Sequence, residues 1–178
     1  GTAITTGDQN VLIGYAAGDA ITTASDNTAV GYNNLANNTS GASNVALGSR
    51  SMQANLSGAN NVAVGFQSLT ANTTADNNTA VGYHAGLAVT TGVRNTILGG
   101  LAGDALTDGD NNVAVGMNAL STETRADRNV AIGSHALHTQ NVGTDTDAYN
   151  TAVGHNAGYS VTTGIQNTLI GGLAGDAI

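Results

Sequence analysis

Residues 26–35 read DNTAVGYNNL, and nearly the same string returns as NNTAVGYHAG at 77–86 and YNTAVGHNAG at 149–158. Working outward from that string, the Asn opening each N-x-x-[VIL]-G falls at Asn10, Asn27, Asn44, Asn61, Asn78, Asn95, Asn112, Asn129, Asn150 and Asn167. Successive gaps are 17 residues, except for 21 between Asn129 and Asn150. The chain therefore reads as one repeat array over 1–178, ten coils long, with a four-residue insertion between Gly143 and Ala148. Both ends fall inside the unit and neither has a polar cap, so the array is expected to be a segment of a longer fibre.

With the Asn as column 1, column 4 is always a branched aliphatic and column 5 always Gly, from Ile13-Gly14 to Ile170-Gly171. Columns 1–5 alternate with period two and predict a short strand. A second extended stretch is expected near columns 11–14, as in LAVTTG at 87–92, and column 15, Gly or Ala in regular coils, marks a tight corner. The fold class expected is all-β, a flattened β-solenoid (β-roll) of 17-residue coils. A single coil buries too little to stand alone, and stacking has to supply the rest.

Two columns vary together. Gly at column 9 goes with a large aliphatic at column 12 (Gly1 with Ile4, Gly18 with Ile21, Gly86 with Val89, Gly103 with Leu106, Gly158 with Val161, Gly175 with Ile178). Leu or Met at column 9 goes with a polar residue (Leu35 with Asn38, Met52 with Asn55, Leu69 with Asn72, Leu120 with Glu123). The two are read as filling one space inside the coil, where overpacking and cavities both destabilise. Column 4 is expected to point into that core. Column 3, Ala in seven coils, would then form a second, outward face along which parallel chains associate.

Composition removes several functions. The chain has 25 Gly, no Pro, Cys or Trp, one Phe and a formal net charge of -8. Its only basic residues are Arg50, Arg94, Arg125 and Arg128, so nucleic acid and anionic membranes are poor partners. No disulfide framework, transmembrane run or signal-peptide pattern is present.

NTAVGY at 78–83, NVAVGF at 61–66 and NVAIGS at 129–134 resemble the S-V-A-I-G repeats of YadA-like heads in trimeric autotransporter adhesins. They are still more similar to the N-T-A-V-G-Y-x-A-L arrays of phage tail-fibre and surface-fibre proteins. The resemblance covers the whole chain, with a longer unit than the adhesin head and Asn in place of the opening Ser. It implies parallel homotrimers of β-rolls, an extracellular, cell-surface or virion location, and a role as spacer or in attachment to a host-cell or surface receptor.

Few side chains suggest a site. The ten column-1 Asn predict an amide ladder from coil to coil. His84 and His135 share column 7 about 14 Å apart, too far for a common metal. His135 and His138 are closer but have no evident third ligand. Asp19, Asp104 and Asp176 share column 10 at wide intervals and read as corner residues. Asp145 and Asp147 in the insertion, with Tyr149 beside them, are the best candidates for a cation or receptor contact. Ser134 and His135 are adjacent without an orienting third member, and the Gly-rich LGGLAGDA at 98–105 lacks a phosphate-loop Lys. No catalytic residues, metal or cofactor are expected, since repetition makes nearly every place alike. Thr fills column 13 in most coils, Thr5, Thr22, Thr73 and Thr90 among them. That rank supports one alternative, an ice-binding β-solenoid.

Overall fold

The computed structural model describes residues 3–177, so Gly1 and Ile178, named in two of the column pairs above, lie outside the described residues. Among the described residues there is no helix and there are ten three-residue strands. They are β1 (Val11–Ile13), β2 (Thr28–Val30), β3 (Val45–Leu47), β4 (Val62–Val64), β5 (Thr79–Val81), β6 (Thr96–Leu98), β7 (Val113–Val115), β8 (Val130–Ile132), β9 (Thr151–Val153) and β10 (Thr168–Ile170). Each occupies columns 2–4, and consecutive strands pair in parallel as one sheet in chain order. The register sets column on column: Thr28, Ala29 and Val30 face Val45, Ala46 and Leu47. The ten strands make a β-solenoid of about nine turns, roughly 43 Å from first strand to last. The insertion leaves this register intact, because Val130 of β8 still faces Thr151 of β9.

Each coil holds one strand, not two. Columns 11–14 form no strand among the described residues, because the backbone around them turns left-handed at columns 7, 9 and 17, as at His84 (φ 55), Leu69 (φ 47) and Asn77 (φ 62). Such residues cost on the order of 1–3 kcal/mol each, and contacts between coils have to hold them. Column 13 supplies one set of these. The Thr90 amide donates to the Thr107 carbonyl, and the Thr90 hydroxyl donates to the same oxygen at 3.2 Å. The hydroxyls of Thr5, Thr22, Thr39, Thr73 and Thr107 bond the next coil in the same way.

The structure reverses the expected roles of columns 3 and 4. Column 3 faces the core: Ala29, Ala46, Ala63, Ala80 and Ile97 are fully buried. Column 4 faces outward: its side chains are half-buried in the interior coils, 38% exposed at Val81 and Ile132, and most exposed at the end strands, Ile13 (59%) and Ile170 (70%). The cause is the narrowness of the coil, whose opposite wall already brings column 9 and column 12 side chains inward, so the sheet can offer only a methyl in most coils. Where column 3 is large, column 9 is Gly. A Cβ on Gly18 would lie 2.6 Å from Leu12 Cδ2 and 2.8 Å from Ile21 Cδ1, and the space reaches across coils, since one on Gly158 would lie 2.8 Å from Cδ1 of Leu169 in the next coil. The shared space thus has three contributors, columns 3, 9 and 12. Leu35, Met52 and Leu69 fill it from column 9, and the polar residues opposite them, Asn38, Asn55 and Asn72, are fully buried. Those three form a short internal ladder, Asn55 Nδ2 donating to Asn38 Oδ1 and Asn72 Nδ2 to Asn55 Oδ1 at 2.7 Å.

Two columns close each coil. The column-1 Asn uses both ends of its amide: Asn61 Oδ1 accepts the backbone N–H of Asn78 in the next coil at 2.9 Å, and Asn61 Nδ2 donates to the Ala75 carbonyl at the end of its own coil. The same pair of bonds recurs at Asn27, Asn44, Asn78 and Asn95. Direct amide-to-amide bonds also occur, as from Asn61 Nδ2 to Asn44 Oδ1 at 3.2 Å. At column 5, Gly65 has φ +136, and a Cβ there would lie 2.2 Å from the Gly82 carbonyl oxygen.

Candidate functional site

Three surfaces depart from a plain polar rod. The first is the outward face of the sheet, columns 2, 4 and 6. It carries Val or Thr at column 2 and a branched aliphatic at column 4. Column 6 adds exposed Tyr15, Tyr32, Phe66, Tyr83 and Met117. The rings stack along the rod, Tyr15 on Tyr32 at 5.5 Å and Phe66 on Tyr83 at 5.8 Å between centroids. No Asp, Glu or Arg occupies any of these three columns, although the chain as a whole is strongly acidic.

The second surface is a corner at columns 6–10 of the coils that open at Asn112, Asn129 and Asn150. There His135 lies edge-on to His138 at 5.2 Å and to His155 at 6.4 Å, with Tyr159 packed against His138 at 5.1 Å. His135 Nδ1 pairs with Ser134 Oγ at 2.9 Å and Nε2 with the Asn118 amide at 3.1 Å. His138 Nδ1 pairs with Ser121 Oγ at 2.7 Å. The third partner of the Ser134–His135 pair is thus an amide, and no carboxylate forms an ion pair with either imidazole among the described residues. Burial, then the neighbouring His138 and His155, push the His135 imidazole below its ordinary value.

Asp104 stands in column 10 with Ser121 and His138, and its Oδ1 is buried without a partner. Burial raises its carboxyl, against the lowering pull of nearby backbone N–H groups and of His84 and His138. His84 itself bonds Gln67 Oε1 at 2.9 Å and stacks on Tyr83. Reading column 10 down the repeats would have put Asp104, Ser121, His138 and Tyr159 in one line. Only the aspartates of that column, Asp19, Asp104 and Asp176, stood out together by residue type, and Ser121 carried no signal of its own.

The third surface is the insertion. Its backbone is tied to the preceding coil, the Asp127 N–H donating to Thr146 O and the Ala148 N–H to Asp127 O. Asp147 is paired with Arg128 and accepts the Tyr149 hydroxyl, and the Arg128 guanidinium lies 5.6 Å above the Tyr149 ring. All three contact candidates are exposed, and of them Asp147 and Tyr149 are engaged with Arg128. Desolvation raises the Asp127 carboxyl, helped by Asp110 and Asp145 and opposed by an Asp110 backbone bond and Arg128.

Beneath the loop, Glu123 is fully buried. Its Oε1 accepts the N–H groups of Thr124, Arg125 and Ala126, and its Oε2 accepts Gln140 Nε2 and the Val142 N–H. Gln140 bonds Asn129 Oδ1 and accepts Asn150 Nδ2, bridging two rungs of the column-1 ladder where the insertion parts them. Among the described residues no group of three or more His, Asp or Glu is placed to hold a metal ion. A cleft lined by Val161, Thr162, Gly164 and Asn167 carries no titratable side chain. Comparison with family models, with curated proteins and with solved structures finds no match.

Proposed function

We propose that this chain is the rigid shaft of an extracellular or virion surface fibre, in which parallel copies pack strip to strip along columns 2, 4 and 6. In this reading it acts as a spacer and attachment surface. The observation that carries the reading is the uncharged aliphatic and aromatic strip running the length of the sheet. At about 45 Å by 13 Å it offers roughly 600 Å² per chain, close to the roughly 800 Å² per partner of a standard interface. Further copies of the same chain suit it better than an unrelated partner. The strip is as long as the array and repeats with it, and the charges that would make acidic copies repel one another lie in other columns. Closure by three copies follows the fibre resemblance. Receptor contact then falls to the surfaces that break the repeat, the histidine corner and the insertion with Asp145.

A cysteine-free chain makes the test clean. Val64→Cys, in the strip, is expected to give covalent pairs on mild oxidation, while Thr74→Cys, exposed at column 14 on another face, stays single. The opposite pattern would move the contact off the strip. The alternative of ice binding through the Thr rank gains no support from the geometry, since the column-13 hydroxyls are occupied in bonding coil to coil. A thermal-hysteresis assay tests it directly.

A further inference from the structure

The strip contains a chemical exception. Reading columns 2, 4 and 6 through all ten coils, His155 is the one side chain of a type that gains charge between pH 8 and pH 5. It is exposed, in column 6 directly after β9. Its ring meets that of His135 at 6.4 Å, and His135 meets His138 at 5.2 Å, so three imidazoles run from the strip around its flank. The other ionisable groups around them are few. Tyr159 packs on His135 and His138, and Asp104 acts on His138 and His84. No Asp, Glu or Arg forms an ion pair with the trio among the described residues. The hydrogen-bond partners of His135 and His138 are neutral, namely Ser134, Asn118 and Ser121.

We propose that His155, with His135 and His138 behind it, makes the self-association of this chain acid-sensitive, holding copies together near neutral pH and loosening them as the imidazoles protonate. The inference rests on the strip-to-strip packing argued above. Neutral imidazoles complete an uncharged contact. Protonated ones place like charges within a few ångströms of one another in each copy, and bring the His155 residues of adjacent copies together in a strip whose columns 2, 4 and 6 hold no carboxylate. Burying an unpaired cation is costly. Each proton that the assembled state excludes weakens association by up to about tenfold per pH unit below the imidazole range. The lowered His135 titration runs in the same direction: the folded chain holds that proton less well than the unfolded one, so stability falls as pH drops through the ordinary histidine range.

The test measures solution mass by light scattering across a dilution series at pH 7.5 and pH 5.5, for the parent chain and for His155→Gln, with circular dichroism recorded on the same samples to separate dissociation from unfolding. The parent is expected to dissociate at a protein concentration at least about tenfold higher at pH 5.5 than at pH 7.5 while keeping its fold. His155→Gln should lose most of that difference. The raised carboxyls of Asp104 and Asp127 respond alike in both proteins and cancel in the comparison. Equal dissociation of the parent at the two pH values would overturn the proposal, as would an undiminished acid response in His155→Gln. A parent that is a single chain already at pH 7.5 would remove the contact itself, and the proposal with it.

Discussion

Gly65 shows how much one residue position settles. Its φ of +136 and the Gly82 oxygen 2.2 Å from any Cβ make glycine the only residue that fits. The repeat displays this openly, as an unbroken Gly column after each aliphatic. Gly65→Ala is predicted to cost about 3 kcal/mol or more, read as a lower midpoint in chemical denaturation. Other residues were legible as positions but not as partners. The column-1 Asn stack could be read from spacing, whereas the donation of Nδ2 to the corner carbonyl 14 residues later, as at Asn44 and Asn61, depends on where the turns bring the chain. Asp104 is a case with a pH signature. Its carboxyl is raised in the folded chain, so it favours folding in acid and loses that contribution as pH rises through its folded value. Asp104→Asn should therefore raise the denaturation midpoint at pH 7 and flatten its dependence between pH 4 and pH 7. An unchanged pH profile would contradict this origin.

At the scale of the coil, the sequence carried the strand, the corner and the exchange between columns 9 and 12, but gave the wrong sense to the sheet. A branched aliphatic beside an Ala ordinarily marks the buried face. Here the interior has room for about one large side chain per coil, and Leu69 or Val89 takes it from the far wall, so Ala80 faces in and Val81 faces out. The absent second strand has a similar origin, because left-handed residues at Gln67 and Leu69 cannot be distinguished by composition from extended ones. Leu69→Gly is predicted to cost about 2–5 kcal/mol. Adding Asn72→Ile should restore part of it, the shortfall being the bonds that Asn72 Nδ2 makes to Asn55 and Ala75. Simple additivity in denaturation would rule out a shared space. The insertion coil depends on Glu123, whose carboxylate gathers five N–H groups. Glu123→Gln turns an NH₂ group toward some of those donors and should cost about 2 kcal/mol or more. Limited proteolysis near Thr144 would reveal the loosened loop.

The whole molecule is a rod whose internal columns fix the rise and whose outward columns fix what it can meet. The all-β class and the ten stacked strands, one for each repeat Asn, were legible because they follow from the period, although the ten strands make about nine turns where ten coils were expected. The histidine corner was less so, because its members lie 3 to 24 residues apart in sequence and converge only when the coils stack. Whether the strip joins copies of this chain is read from the light-scattering mass of the unmodified chain at neutral pH, followed over dilution. A stable multiple of 17.5 kDa, three-fold by the fibre resemblance, is the result predicted. A mass of 17.5 kDa at every concentration would contradict it and leave the aliphatic columns without copies of this chain to cover them.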